Sequence, residues 1–285
     1  MRKMIDGLIL KKQANIFTVE TKDGIFDCVA RKNLKKEGLF VGDHVLLDDD
    51  KAVAVVKKRK NLLVRPPLAN LDKMFIVVAP VPKPDFYTVD KLILFCFVNG
   101  IIPEIVANKS DVDEKICEII EKKYKKIAKT LIISAKENKS IKELEDDICE
   151  ISALAGQSAV GKSSIVNALK KDAVAKVDTF SKKIERGKQT TRTVELFKFG
   201  ENKYLADTAG FSKLDEALLG LEEGEIKSYY PEFMDFAHKC KYKSCAHINA
   251  DNCAVLEGVK ENKIDKERYE NYKKLFEIVK NIKKY

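Results

Sequence analysis

Short alternating runs of apolar and β-branched residues fill the first sixty positions of the chain. Turn-forming pairs such as Asp23-Gly24 and Gly42-Asp43 separate these runs. Alternation with period two, bounded by turn residues, predicts short strands. The predicted strands are Gly7–Leu10, Ile16–Glu20, Ile25–Ala30, His44–Leu47 and Ala52–Val56. Five such strands predict a small β-barrel of the oligonucleotide-binding type (OB-fold), although an SH3-like barrel would give the same pattern.

From about residue 68 the pattern changes to apolar runs that alternate with helix-like stretches. The runs predict buried parallel strands at Met74–Ala79, Ile101–Ala107, Thr130–Ser134 and Ile151–Ala155. The other stretches predict helices at Val89–Val98, Glu114–Lys126, Ile141–Cys149 and Ser163–Lys170. Strands that alternate with helices predict an α/β domain with helices on both faces of its sheet.

The remainder of the chain has no strand pattern. Asp265–Lys284 predicts an amphipathic helix whose apolar stripe is a packing surface. The stripe consists of Tyr269, Tyr272, Leu275, Phe276 and Val279.

Between the first two segments, Arg65-Pro66-Pro67 predicts a linker, because consecutive prolines continue neither a ladder nor a helix. We therefore expect three domains: a barrel at 1–65, an α/β domain at 66–214 and a mostly α-helical domain at 215–285.

Composition favours a globular protein that stays out of membranes. The 285 residues are 45% hydrophobic and 34% charged, which excludes a disordered tail. The longest uncharged stretch, Leu92–Pro103, is much shorter than the roughly 20 residues of a bilayer span. The N-terminal apolar run, interrupted by Asp6, is too short for a secretory signal. We expect a cytoplasmic monomer without a membrane partner.

The net charge of +9 is unevenly distributed along the chain. Residues 1–65 have 15 basic and 9 acidic side chains, and residues 151–214 have 12 and 6, so each block carries +6. The other two blocks, 66–150 and 215–285, are close to neutral. Localised positive charge favours a polyanionic partner such as RNA. A solvated lysine-rich surface explains the same counts equally well.

A phosphate-loop pattern, Gly-x4-Gly-Lys-Ser, lies between a predicted strand and a predicted helix. It comprises Gly156, Gln157, Ser158, Ala159, Val160, Gly161, Lys162, Ser163 and Ser164. In this context the backbone N–H groups are expected to surround the β-phosphate at the start of the helix. Lys162 would reach the β- and γ-phosphates, and the Ser163 hydroxyl would bind Mg²⁺. The alternative, a plain glycine-rich turn, does not explain the flanking elements.

Two further motifs, each at the end of a predicted strand, favour a guanine base. Asn108-Lys109-Ser110-Asp111 follows one strand, and Ser134-Ala135-Lys136 ends the next. The Asp111 carboxylate can accept hydrogen bonds from N1–H and the N2 amine of guanine, whereas adenine has neither donor. We expect Asn108 to brace the neighbouring loops, Lys109 to cover the base and the Ala135 N–H to face O6.

Asp207-Thr208-Ala209-Gly210 follows the strand-like Tyr204–Ala206 and resembles a switch that senses the γ-phosphate. Asp207 would hold Mg²⁺ through water, and the Gly210 N–H would meet the γ-phosphate. The basic segment from Lys182 to Thr193 would supply a second Mg²⁺ ligand, for which we favour Thr191 over Thr190. Such a loop would order with the γ-phosphate and loosen after hydrolysis.

These motifs occur in a permuted order, with the base motifs before the phosphate loop and the switches after it. The chain thus resembles the bacterial family of ribosome small-subunit-dependent, circularly permuted GTPases, over essentially its whole length. The resemblance implies an N-terminal OB-fold, a permuted GTPase domain and a C-terminal zinc module. It also implies GTP hydrolysis in late maturation of the small ribosomal subunit, stimulated by that subunit, with contacts to its ribosomal RNA.

Some residues depart from the pattern of that family. Ala209 stands where proline is usual, Ala159 where glycine is usual and Gln189 where histidine is frequent. We hypothesise that Gln189 orients the attacking water. Phe211 occupies the position of the water-positioning glutamine of Ras-like switches. Because an apolar side chain cannot orient water, we expect slow intrinsic hydrolysis that the partner accelerates.

Three cysteines and a histidine cluster near the C-terminus, at Cys240, Cys245, His247 and Cys253. Three thiolates and one imidazole match a closed, tetrahedral structural zinc site. His238 is the rival ligand, although its approach to Cys240 would strain the loop; the family resemblance also selects His247. The other cysteines are expected to be small buried hydrophobes, at Cys28, Cys96, Cys117 and Cys149.

Other classes of function remain open at this stage. An ATP-dependent P-loop kinase is disfavoured by Asn108 and Asp111. An RNA-binding protein that uses GTP only as a binding switch, with negligible hydrolysis, is disfavoured by the intact Lys162, Ser163 and Asp207. A zinc redox enzyme is least compatible with the sequence, because the four ligands fill the coordination sphere.

Overall fold

The computed structural model describes residues 4–32, 34, 38–176, 194–207, 220–222 and 224–282. The chain divides into two compact units, each assembled from separate segments. The first unit comprises residues 1–75, 140–155 and 162–211. The second comprises residues 76–139, 156–161 and 212–285. The predicted division into three domains stays a prediction.

The first unit begins with the predicted barrel. Its strands are β1 (Ile5–Gln13), β2 (Ile16–Thr21), β3 (Gly24–Val29), β4 (His44–Leu47) and β5 (Val53–Val56). The strand β1 pairs antiparallel with β2 and β4, β2 pairs with β3, and β4 pairs with β5. A parallel bridge between Ala30 and Val53 links the end of β3 to β5. The order β1-β2-β3-β5-β4 therefore closes on itself around buried Ile9, Val19 and Leu47.

The predicted linker at Arg65-Pro66-Pro67 is wrong. These residues connect β6 (Leu62–Val64) to β7 (Pro67–Ala69) in an antiparallel hairpin. Leu63 and Leu68 pair across the two strands, and both are buried. The restricted backbone of proline suits a turn as well as a linker. The apolar residues on either side therefore determine that this segment forms a hairpin and not a linker.

The first unit also contains the strand that precedes the phosphate loop. β11 (Ile151–Ala155) runs parallel to β13 (Lys203–Asp207), which pairs antiparallel with β12 (Glu195–Gly200). The sequence does not predict β12. This strand reaches the barrel through one pair, Lys11 with Glu195, whose side chains form an ion pair at 3.2 Å. Helices α3 (Ile141–Asp146) and α4 (Lys162–Lys176) complete the unit.

The second unit contains the end of β8 (Lys73–Val78), together with β9 (Ile102–Ala107) and β10 (Lys129–Ile132), which are parallel to each other. Its helices are α1 (Phe86–Val98), α2 (Glu114–Tyr124), α5 (Pro231–Ala237), α6 (Ala254–Lys260) and α7 (Lys266–Asn281), with a 3-10 helix at Ile226–Tyr229. The apolar stripe predicted for the terminal helix is buried along α7, which confirms it as packing surface. None of the helices in the described ranges is long and apolar enough to cross a membrane.

Candidate nucleotide and metal sites

The second unit brings residues 156–161 of the phosphate loop together with the first base motif. The Asn108 side chain is 99% buried, and its Nδ2 donates a hydrogen bond to the Val160 carbonyl at 2.9 Å. The Lys109 ammonium donates to the Ala159 carbonyl and to the Val81 carbonyl, both at 2.7 Å. Segments about fifty residues apart in sequence are therefore held against each other by side chains of a single motif.

Both glycines of the phosphate loop are required by the backbone around them. Gly156 has a φ of +127°, and a Cβ there would lie 2.3 Å from the Val77 carbonyl oxygen. Gly161 has a φ of +99°, and a Cβ there would lie 2.4 Å from Asn108 Nδ2. The loop can therefore make its close turn only without side chains at these two positions.

Ala159 adopts a left-handed conformation with a φ of +64°. An L-residue other than glycine pays a steric cost of roughly 1–2 kcal/mol in this region. The carbonyl of Ala159 nevertheless accepts the Lys109 ammonium, so the strained conformation is held by the base motif.

Replacing Ala159 with glycine is expected to stabilise the folded chain by about 0.5–1 kcal/mol. The gain is smaller than the strain released, because glycine also raises the entropy of the unfolded chain. Urea unfolding of the two proteins measures the difference. Ala168→Gly, inside helix α4, is the matched control and should destabilise instead. A urea midpoint for Ala159→Gly below that of the wild type would contradict the inference that the Ala159 backbone is strained.

The carboxylate predicted to read guanine is held by the second base motif. The Ser134 hydroxyl donates to Asp111 Oδ1 at 2.6 Å, and the Lys136 ammonium lies 3.7 Å from Oδ2. The hydrogen bond from Ser134, with a smaller contribution from Lys136, lowers the pKa of Asp111. The side chain is therefore ionised at neutral pH, the state that accepts two hydrogen bonds.

The Ala135 N–H, predicted to face the guanine O6, donates to Asn108 Oδ1 at 3.1 Å. Asn108 thus contacts the phosphate loop through its nitrogen and the second base motif through its oxygen. A base oxygen at this position would have to share the Ala135 N–H in a three-centre bond.

The remaining phosphate-binding and catalytic candidates are described only in part. Lys162 begins helix α4, and burial lowers the pKa of its ammonium. The two serines that follow, Ser163 and Ser164, are exposed. Asp207 is the last residue of β13, paired in register with Glu195. The other candidates lie outside the described residues: Gln189, Thr191, Gly210 and Phe211.

The predicted zinc ligands converge in the second unit. The sulfurs of Cys240, Cys245 and Cys253 and a ring nitrogen of His247 all lie within 4.8 Å of one another. Cys240 Sγ lies 3.8 Å from Cys253 Sγ, and His247 Nδ1 lies 3.6 Å and 3.5 Å from these two sulfurs. A tetrahedral zinc with bonds of about 2.3 Å to sulfur and 2.05 Å to nitrogen requires edges of about 3.8 Å and 3.6 Å. The donor set and its spacing therefore fit one structural zinc.

The protonation of His247 also suits a metal ligand. Burial, assisted by the charge of Lys227, lowers the pKa of His247 to about 4. The imidazole is therefore neutral at neutral pH and has a lone pair for the metal. The rival His238 is not part of the cluster, and its Nδ1 lies 3.4 Å from the Met234 carbonyl.

The loop that carries the ligands is fixed by side chains that the sequence analysis did not assign. Lys227 donates to the Cys245 carbonyl at 2.9 Å, Tyr272 to the Ala246 carbonyl at 2.5 Å and Tyr269 to the His247 carbonyl at 2.8 Å. The two tyrosines belong to the apolar stripe of α7. The only available signal was that two stripe positions are tyrosines, whose hydroxyls need partners when buried.

Comparison with known proteins identifies relatives of the whole chain. A family model described as RsgA GTPase matches residues 56–217. A protein of Ruminiclostridium cellulolyticum named small ribosomal subunit biogenesis GTPase RsgA is 35% identical, and the match covers 98% of this chain and 95% of that protein. A protein of the same name from Caldanaerobacter subterraneus subsp. tengcongensis is 36% identical and is matched over 97% of its length.

Solved structures agree with these relatives. The crystal structure of YjeQ from Thermotoga maritima is 30% identical, with a TM-score of 0.81 over 99% of this chain and 100% of that one. The structure of YloQ, described as a circularly permuted GTPase, has the same TM-score at 25% identity and is covered over 97% of its length. The permuted order predicted from the motifs is thereby confirmed. With the family model matching more than half of its residues, the chain belongs to the RsgA GTPase family.

Proposed function

We propose that this GTPase binds GTP and GDP through the loops that Asn108 and Lys109 hold together. The observation that carries the proposal is that the Asn108 side chain bonds to the phosphate loop at Val160 and to the second base motif at Ala135. A single buried residue thus sets the distance between the place for a base and the place for its phosphates. The contacting residues would be Asn108 to Asp111, Ser134 to Lys136 and Gly156 to Ser164.

The base is guanine in this proposal because Asp111 is an ionised acceptor held in one orientation by Ser134. Guanine offers adjacent N1–H and N2 amine donors, which two carboxylate oxygens can accept. Adenine has neither donor and would leave both oxygens without a partner on the base, and buried unpaired acceptors are costly. The Lys109 stem, anchored at Val81 and Ala159, would cover the face of the base.

Hydrolysis would use the conserved chemistry of P-loop GTPases. Lys162 would neutralise the phosphates, Ser163 and Thr191 would ligate Mg²⁺, and Asp207 would hold the ion through water. The Gly210 N–H would contact the γ-phosphate, and Gln189 would orient the attacking water. Because Phe211 replaces a water-positioning glutamine, we expect the chain alone to turn over slowly.

The partner in this proposal is the small ribosomal subunit and its ribosomal RNA. The support is the name of the relatives, small ribosomal subunit biogenesis GTPase, together with the +6 charge of residues 1–65. Phosphate contacts made by clustered lysines and arginines are the dominant source of affinity for RNA. The chain would act as a monomer in the cytoplasm and couple GTP hydrolysis to late maturation of the subunit.

Purified small subunits are expected to raise the rate of GTP hydrolysis at least tenfold, because they supply or order the group that Phe211 cannot provide. Turnover is measured with small subunits, with large subunits and with neither. Fast turnover without subunits, or equal stimulation by large subunits, would contradict the proposal. Tight GTP-dependent binding to small subunits with no hydrolysis would favour the alternative, an RNA-binding protein switched by GTP.

A further inference from the structure

A buried ionic cluster joins four helices of the second unit. Arg268 of α7 donates to Asp90 Oδ1 of α1 at 2.7 Å and forms a second ion pair with Glu232 of α5. Asn271 donates to Asp90 Oδ2 at 2.7 Å, and the Tyr124 hydroxyl of α2 donates to Asp90 Oδ1 at 3.1 Å. Arg268 is 2% exposed and Asp90 1%, so both charges have left water.

The cluster specifies a docking geometry at a cost in stability. Burying two charges loses solvation that their attraction only partly returns, and apolar replacements are often as stable. Directional bonds from three donors to Asp90 nevertheless permit one arrangement of α1, α2 and α7. A second contact also fixes α2 against the start of α7. Lys123 of α2 bonds to Asp265 at 2.7 Å and to Glu267 at 3.0 Å.

Helix α2, which the cluster holds at its last turn, begins at the first base motif. Its N-cap, Asp113, lies two residues after Asp111, and the Val112 N–H donates to the Lys109 carbonyl at 2.9 Å. The buried Cys117 thiol, one turn into the helix, lies 3.7 Å from the Asn108 carbonyl. An eleven-residue helix is a stiff connection, so its C-terminal anchor restrains the position of Asp111.

Helix α1 provides a second connection between the cluster and the base motif. Its N-cap, Asp85, accepts from the Thr88 N–H at 3.1 Å and from the Thr88 hydroxyl at 2.6 Å. The short loop before this cap contains Val81, whose carbonyl accepts the Lys109 ammonium. Of the helices that meet at Asp90, α1 and α2 therefore both start at loops that contact Asn108-Lys109-Ser110-Asp111.

We propose that Asp90 and Arg268 are positioning residues for guanine recognition, which act by fixing α1 and α2 so that the Asp111 carboxylate meets the base edge. The C-terminal helix α7 thereby becomes part of the specificity apparatus, although it touches no base motif through these residues. The inference rests on the proposed function, which assigns the base edge to Asp111.

The test compares the affinities of the full-length, zinc-loaded chain for GDP and for inosine diphosphate (IDP), which lacks the N2 amine. Competition against a fluorescent GDP analogue gives both dissociation constants. In Asp90→Asn and Arg268→Met we expect the GDP-to-IDP preference to fall at least fivefold. Arg268→Lys keeps the charge and should retain more of the preference than Arg268→Met. Glu277→Gln, an exposed change on α7, is the matched control and should keep the wild-type ratio.

The ratio separates positioning from damage to the fold. A variant that is partly unfolded binds less of both nucleotides, but its folded fraction keeps the wild-type ratio. An unchanged ratio in Asp90→Asn and Arg268→Met would therefore overturn the inference while leaving the proposed function intact. A wild-type chain that binds IDP as tightly as GDP would instead remove the role of Asp111, and both proposals would fall.

Discussion

Asp111→Asn is expected to weaken GDP binding by about four orders of magnitude and to make xanthosine diphosphate (XDP) the preferred ligand. The asparagine amide offers one acceptor and one donor where the carboxylate offers two acceptors. Guanine presents donors at N1 and N2, so the new amide donor faces the N2 amine and one bond becomes a repulsion. Sites built around specific hydrogen bonds reject a mismatched edge by factors of about 10⁴–10⁵.

Xanthine has a carbonyl in place of the N2 amine and keeps N1–H, so it complements the asparagine amide. Titration of wild type and variant with GDP, XDP and ADP gives the dissociation constants that show whether the preference changes from GDP to XDP. Ser134→Ala is the milder variant for comparison, because it removes the 2.6 Å hydrogen bond to Asp111 but leaves both carboxylate oxygens available to the base. It should weaken GDP binding without favouring XDP. Retention of GDP preference in Asp111→Asn would place the base elsewhere.

The sequence was sufficient where chemistry depends on local spacing. The phosphate loop and the cysteine–histidine cluster are each contained within a short segment, and their residue types restrict what they can bind. The strand His44–Leu47 and the buried stripe of α7 were also predictable, because periodicity alone determines which face is apolar.

Pairings between strands that are far apart along the chain could not be predicted from the sequence. Adjacent Leu196 and Phe197 break the alternation of Glu195–Gly200, so this segment gave no clear strand signal, and β12 forms because β13 and β1 lie beside it. Nothing local indicated that Ala30 would meet Val53. Tertiary pairing overrides weak local preference in such cases.

Asp90 illustrates the same limit for the buried ionic cluster. A single aspartate in the largely apolar run of α1 indicates a buried charge that needs partners. The sequence could not indicate that its partners are Arg268 and Asn271, which lie 178 and 181 residues away along the chain. Likewise, Lys109 was predictable as a cover for the base, but its anchors at Val81 and Ala159 depend on how the loops meet.

Loss of zinc is expected to unfold the loop 238–253 and the adjoining α6 while leaving the base motifs folded. Zinc binding contributes about 10–16 kcal/mol to small structural sites, more than so short a segment gains from its own core. Cys253→Ser removes a buried ligand at the N-cap of α6, and because serine is itself a favourable N-cap residue, the variant tests loss of the metal and not loss of the cap. Hydrogen exchange with zinc analysis measures the loss, and His238→Ala is the matched control that should retain one zinc per chain.

Helix α7 is expected to stay docked after the metal is lost, because it has an anchor that does not involve zinc. Tyr269 and Tyr272 lose the carbonyls that they hold in the ligand loop, but Arg268 and Asn271 keep Asp90. We therefore expect protection of α7 to decrease modestly, and GDP binding and its preference over IDP to persist. Unfolding of α7 together with the loop would show that the zinc holds the whole C-terminal segment. Loss of protection confined to 238–264 would show that the buried ion cluster holds the helix independently.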